Sequence, residues 1–453
     1  MRRAGYIRRQ RMMSATVAAL TLVVGVAAGL AIGQRGTGPT ISTVETAYQF
    51  DHVHGALSVG QPVPTTALAN VTFANAEDGF AIAIHRAQML LAATSNGGHT
   101  WSVVDPHLYI GFTTGGGSTP QFEFTSPKQG YMWGENVLIN GEAPLLVTND
   151  GGLTWRAAQI GGPVVQDVSA IGDNVWALVG GCPPISAATD TCPVDLDVST
   201  DGGLTWSPAT APTSPPPPPA AITPSGATSS VTYESELARI TLQQAYVLEQ
   251  TTPATTMVLS FTGDGGASWS SLPVPCNAPY DLGAELAASS TDDLWLLCGS
   301  QGSAGSQPKE LFRSDNGGQS WLLASQANGA DTAAGATTDT GAAAGSSGAV
   351  NAAPAASSFL PLAGYIAPFT IGHKNLAVAS ATTAWLFPGS GGVYKTTDGG
   401  ITWVEVPDLR HAEFDNGGAA DVTFISITTG WVTEFGVGLW HTGNGNTWSV
   451  LGQ

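Results

Sequence analysis

A short turn ending in Gly-x-Thr/Ser-Trp recurs seven times in this chain, and a recurrence at near-constant spacing restricts the fold more than any composition does. Three copies carry the whole pattern: Thr148, Asp150, Gly152, Thr154, Trp155; Ser199, Asp201, Gly203, Thr205, Trp206; and Thr396, Asp398, Gly400, Thr402, Trp403. Thr262, Asp264, Gly266, Ser268 and Trp269 form a fourth. Two more place Asn at the acidic position, Asn96 before Trp101 and Asn316 before Trp321. The seventh keeps Gly445, Thr447 and Trp448 but, counted back from the tryptophan, has Gly443 where the acid should stand.

The terminal tryptophans lie about fifty residues apart, the period of a unit with four short strands. Two longer gaps hold low-complexity insertions, Pro-rich 209–230 and Ala/Gly/Ser/Thr-rich 325–358, whose composition cannot build a packed core. Before each turn comes an apolar alternation, a small polar break and an aromatic-led run, as in Val168 to Ile171 followed by Val175 to Val179. Period-two alternation with such breaks reads as antiparallel strands. A third run enters the turn, Leu145 to Thr148 for example, and the tryptophan opens a fourth. A lone four-stranded sheet would leave two apolar faces in water, whereas radial stacking buries each against its neighbours. The expected fold is therefore all-β, a seven-bladed propeller of four-stranded antiparallel blades over 70–453. Within each turn the Asp or Asn accepts local backbone hydrogen bonds, the glycines allow positive φ and the tryptophan covers the turn.

These residues resemble the Asp-box, or bacterial neuraminidase repeat, of sialidases, sortilin-type receptor ectodomains and the photosystem II stability and assembly factor-like propellers. The resemblance runs from about Val71 to Gln453, and the Gly-aromatic strand before each Asp-Gly-Gly turn is most similar to the last group, which implies a non-catalytic scaffold. Asp-box residues sit on blade turns, and the fold hosts both hydrolases and binding modules, so activity has to be sought elsewhere in the chain.

Residues 1–11 carry Arg2, Arg3, Arg8, Arg9 and Arg11, and residues 12–34 form an uncharged stretch long enough to cross a bilayer. With the arginines retained in the cytoplasm, the remainder is exported, a single-pass signal-anchor protein with a linker and lead-in over 35–69 and its propeller outside the cell membrane. Secretion after cleavage near Ala27, Ala28, Gly29 or Ala31 is the rival reading. Of fifteen basic residues six are arginines within residues 1–35, so nine face all thirty-four acids beyond that point, a formal charge of −25. That balance argues against nucleic acid as a partner. The four cysteines all follow the membrane stretch. Cys182 and Cys192 bracket a loop suited to an oxidised staple, and Cys276 with Cys298 is the natural second pair, with other connectivities open.

Sialidase chemistry needs convergent arginines, a tyrosine nucleophile with a glutamate partner and an acid/base aspartate. Beyond the membrane stretch only Arg86, Arg156, Arg239, Arg313 and Arg410 remain, with Arg156 following a blade tryptophan and Arg313 leading into a turn. No phosphate loop, nucleophile elbow or dinucleotide fingerprint appears. Two carboxylates alone could serve another glycoside hydrolase, and Glu135, Asp281, Glu285, Glu413 and Asp415 are expected on connectors between blades. Asp51, His52 and His54 lack an identifiable third metal ligand, and no metal or cofactor is assigned. If the connectors from fourth to first strands open on one face, opposite the glycine turns, they carry His107, Tyr109, Tyr280, Asp281, Arg410, His411, Glu413 and Asp415 there, the candidate binding face. The sequence thus describes a monomeric propeller, tethered by one helix, that binds an envelope or membrane protein or a glycan.

Overall fold

The computed structural model describes residues 57–452 apart from 86–87, 107–119, 135–144, 163, 181–184, 188–192, 213–229, 253–256, 277–280, 301–306, 328–359, 361–374, 389–391, 410–420 and 435. The expected tail and membrane helix, residues 35–56 of the linker and lead-in, and with them Asp51, His52 and His54, lie outside them. No helix of the described residues is long and apolar enough to cross a membrane.

Seven antiparallel sheets follow one another along the chain and together form a seven-bladed propeller. Blade 1 comprises Leu68–Phe73, Asp78–His85, Gln88–Ser95 and Trp101–Asp105; blade 7 comprises Asp421–Phe424, Gly430–Glu434, Gly438–Thr442 and Ser449–Leu451. Between them the first strands of blades 2 to 6 are Gln121–Phe124, Val164–Ile171, Ser230–Arg239, Asp281–Ala288 and Leu376–Val378. Five blades have four strands, and two gain a fifth. Pro62–Val63 pairs with the outer strand of blade 1 at Ser102 and Trp101. Ile185–Ala187, from blade 3, pairs with the inner edge of blade 4 at Ser230 to Thr232. The second insertion begins later than its composition suggests, because Ser325 to Ala327 complete the outer strand of blade 5.

There is no single core. Seven apolar clusters lie one at each seam between neighbouring blades. Each contains the aromatic that opens the second strand: Phe80, Tyr131, Trp176, Tyr246, Trp295, Trp385 or Trp431. At three seams this ring stacks on the phenylalanine ending the next blade's first strand, Phe80 on Phe124 at 3.5 Å, Trp385 on Phe424 at 4.0 Å and Trp431 on Phe73 at 3.6 Å. At the seam of blades 3 and 4 the equivalent position is Arg239, whose guanidinium lies 4.3 Å over Trp176 and donates to the Asn174 carbonyl at 3.0 Å. A planar cation takes the place of a phenyl ring there.

The glycine turns follow from side-chain chemistry. In the blade 2 turn, Thr148 Oγ1 donates to Asp150 Oδ1 at 2.9 Å and accepts from Gly152 N at 2.9 Å. Asp150 accepts from Thr154 N at 2.9 Å and Thr154 Oγ1 at 2.6 Å. Asn96 and Asn316 reproduce this by accepting the same backbone N–H through Oδ1 and donating Nδ2 to the hydroxyl of Thr100 or Ser320. The seventh turn corrects the sequence alignment. Counted forward from Thr442 the polar residue is Asn444, which accepts Thr447 N at 2.9 Å, and the turn is one residue shorter than the others rather than lacking its Asx.

In six blades a glycine N–H of this turn donates to the turn between the first and second strands, as Gly97 N does to Glu77 O at 2.9 Å and Gly399 N to Thr382 O at 3.0 Å. Both sets of turns therefore share one face. Strand alternation puts the connectors on the other. The ring closes with the stack of Trp431 on Phe73 that two other seams also use, and Trp431 Nε1 donates to Gly97 O at 3.0 Å. A clasp from the lead-in is added: Thr65 Oγ1 donates to Leu451 O at 3.1 Å, and Gly436 N to Thr66 O at 2.9 Å.

Candidate functional site

The first strands of all seven blades surround an axial cavity of about 580 Å3. A first strand is a sheet edge, so its backbone groups turned from the blade need partners from elsewhere. Carboxylates supply them. Glu123, Asp167, Glu234, Glu236 and Glu285 line the cavity, and Arg239 is the only lysine or arginine among its described lining residues.

Three of these acids reach forward to the next blade. Asp167 Oδ2 accepts from Leu237 N at 2.7 Å, and Glu236 Oε2 accepts from Leu286 N at 2.7 Å. Glu285 accepts from Leu376 N at 2.9 Å and from Asn375 N at 3.0 Å. Blades 3 to 6 are thus joined by a staircase of carboxylate-to-amide bonds, which are stronger than neutral ones. Neutral groups also join blades, at one of these seams and at others. The Gln250 side chain donates to Ala284 O at 3.1 Å and accepts from Ala284 N at 2.8 Å, Asn70 Nδ2 donates to Pro120 O at 3.4 Å, and Thr423 Oγ1 to Val71 O at 2.9 Å.

Glu285 was expected on a connector, and it stands instead on the innermost strand of blade 5, 5% exposed. Asp281 opens that strand, paired with Ser300. His107, Tyr109, Tyr280, Arg410, His411, Glu413 and Asp415 lie outside the described residues, as do Glu135, Arg86, Cys182 and Cys192. Cys276 and Cys298 form a disulfide with Cα atoms 5.7 Å apart, fastening the exit of blade 4 to the second strand of blade 5. Asp167 and Glu236 were not singled out from sequence. Their signal is an acid interrupting the apolar alternation of a first strand, as in Val165-Gln166-Asp167-Val168.

Two of the arginines that a carboxylate-binding site would need are occupied in seams. Burial lowers the Arg239 pKa to about 10. Arg313 lies 4.5 Å over Trp295, pairs with Asp293 at 3.2 Å and donates to Gly399 O at 3.5 Å. Lys395 behaves similarly, 5.1 Å over Trp385 and 2.7 Å from Gly445 O. Among the described residues no group of three or more His, Cys, Asp or Glu converges as a metal site.

No protein-family model matches the chain, and no curated protein matches it. Among solved structures it is similar to YCF48 bound to D1 peptide, at 14% identity and TM-score 0.46, covering 90% of this chain and 100% of that one. It is also similar to YCF48 from Cyanidioschyzon merolae, at 13% identity and TM-score 0.44, covering 85% of this chain and 97% of that one. A polysaccharide lyase, the PL25 ulvan lyase, aligns at 9% identity and TM-score 0.46, covering 87% and 94%.

Proposed function

We propose that this protein is a membrane-tethered extracytoplasmic scaffold that binds a protein or glycan through the propeller face carrying the connectors. The observation that carries the reading is the use of Asp167, Glu236 and Glu285 as backbone acceptors for the next blade. Three of the carboxylates that line the axial cavity are engaged in holding the ring together. We read the seven glycine turns as Asp-boxes, residues 12–34 as an uncleaved anchor, and the 410–415 connector, with its Arg410, His411, Glu413 and Asp415, as the richest contact segment for a polar ligand.

The test is capture of envelope components by residues 40–453, run beside a glycan array and a panel of fluorogenic glycosides. Saturable capture that is lost when Arg410, His411 and Glu413 are changed together to Ala supports the scaffold. Turnover of a glycoside that disappears in Glu413→Gln or Asp281→Asn replaces it with a glycoside hydrolase. Protease accessibility of the propeller in intact cells tests the topology.

A further inference from the structure

The turn face, opposite the connectors, carries a surface of its own. Leu153 and Leu204 follow the paired glycines of blades 2 and 3 and are 58% and 43% exposed, and Leu242, in the first turn of blade 4, is 45% exposed. The turn does not require a large aliphatic side chain at that position, because blades 1, 4 and 5 hold His99, Ala267 and Gln319 there. Exposed leucines on three successive blades are therefore features of this chain rather than of the repeat.

Acids surround these leucines. Asp150, Asp201 and Asp264 are fixed in the turns, and hydrogen bonds hold each below the usual carboxylate range, against the upward push of burial that leads at Asp150 and Asp201. Asp173 is exposed in the neighbouring turn of blade 3. Lys128, at the blade 2 turn, is the only exposed lysine or arginine among the described residues of this face, and half-buried Arg156 lies within reach of the Asp201 charge, leaving the acids in excess. A second exposed aliphatic group on this face, Ile401, Ile425 and Ile427 of blades 6 and 7, lies in the turns that also hold Asp398, with Lys395 on the strand before it.

From this pairing of fixed negative charge with exposed leucine we infer that the turn face of blades 2 to 4 is a second docking surface, for a cationic amphipathic segment of a protein partner. Charge complementarity selects that occupant. An anionic lipid surface would be repelled. A glycan would need an exposed aromatic platform, whereas Trp155 is 8% exposed and Trp206 half-buried against its own turn. The surface is independent of the connector face and stands whether or not that face binds.

Full-length protein in neutral detergent would be titrated against a fluorescein-labelled synthetic helix with lysine on one side and leucine on the other, read by anisotropy. The controls are a lysine/serine peptide of equal charge and vesicles containing anionic phospholipid. The expected result is binding that weakens about tenfold in L153S/L204S/L242S and in Asp173→Asn, but not in I401S/I425S/I427S. Equal binding of the lysine/serine peptide, no loss in the leucine variants, or preferential binding to vesicles overturns the proposal. Circular dichroism checks the fold, and should the triple variant unfold, L153S alone decides, with about threefold weakening expected.

Discussion

The Glu285 carboxylate spans the seam between blades 5 and 6, taking Leu376 N at 2.9 Å on one oxygen and Asn375 N at 3.0 Å on the other. Glu285 is 5% exposed and Asn375 and Leu376 are each 1% exposed, so both N–H groups depend on this carboxylate. Glu285→Ala should therefore lower stability by about 3 kcal/mol, since two buried N–H groups lose a charged partner. Glu285→Gln, keeping one acceptor oxygen, should lose less. Urea midpoints decide, and an unchanged midpoint in the alanine variant would remove Glu285 from the architecture.

Arg239 replaces a phenylalanine that three other seams use. Arg239→Ala opens the ring stack on Trp176 and should cost about 2 kcal/mol. Arg239→Phe should recover most of that loss. If phenylalanine is as damaging as alanine, the hydrogen bond to Asn174 rather than the stack holds the seam, and thermal unfolding of the two variants separates these accounts.

The turn aspartates make stability depend on pH. The Ser268 hydroxyl and backbone N–H hold the Asp264 pKa at about 2, below its ordinary 3.8. A folded pKa below the unfolded one gives a contribution complete above about pH 4 and lost as pH falls through about 2. Denaturant midpoints measured from pH 6 to pH 2.5 should fall toward the acid end. In a variant with Asp150, Asp201, Asp264 and Asp398 changed to Asn, the residue already present in two turns, that fall should flatten. An identical acid slope in both proteins would rule the turns out as its source.

Two glycines with similar backbone angles should respond differently to alanine. Gly400 has φ of +83°, and an added Cβ would lie 2.4 Å from Leu311 Cδ2 and 3.1 Å from Trp295 Cζ3 across the seam. Gly172, at φ +59°, has nothing within 4 Å. Gly172→Ala should cost about 1 kcal/mol for the left-handed backbone alone, and Gly400→Ala about 3 kcal/mol once overpacking is added. Equal losses would mean that the seam relaxes freely around the new methyl.

The strands and blade order were legible because Trp155, Trp206 and Trp403 recur at fixed offsets from Thr, Asp and Gly, each with a local structural job. The seventh turn misled because counting back from Trp448 crosses a one-residue deletion, whereas counting forward from Thr442 reaches Asn444. The seam acids were opaque for another reason. What makes Glu285 structural is the amide pair it meets ninety residues later in sequence, at Asn375, and a single strand read alone cannot distinguish that from loop polarity. The Arg239 substitution for phenylalanine was hidden in the same way, because only neighbouring blades reveal the shared position.

Most contacts of this molecule form within a blade or with the next one, but the Thr65 to Leu451 bond joins residues 386 apart. A chain still being made has its first five seams available before blade 7 exists. Until blade 7 arrives, the flank of blade 1 bearing Val71, Phe73 and Trp101 stays wet, and the growing arc is open to pairing with another copy of itself. Closure is thus the late, entropically costly event in folding, and a ribosome pausing a few codons before Trp448 would leave a nearly finished ring sticky.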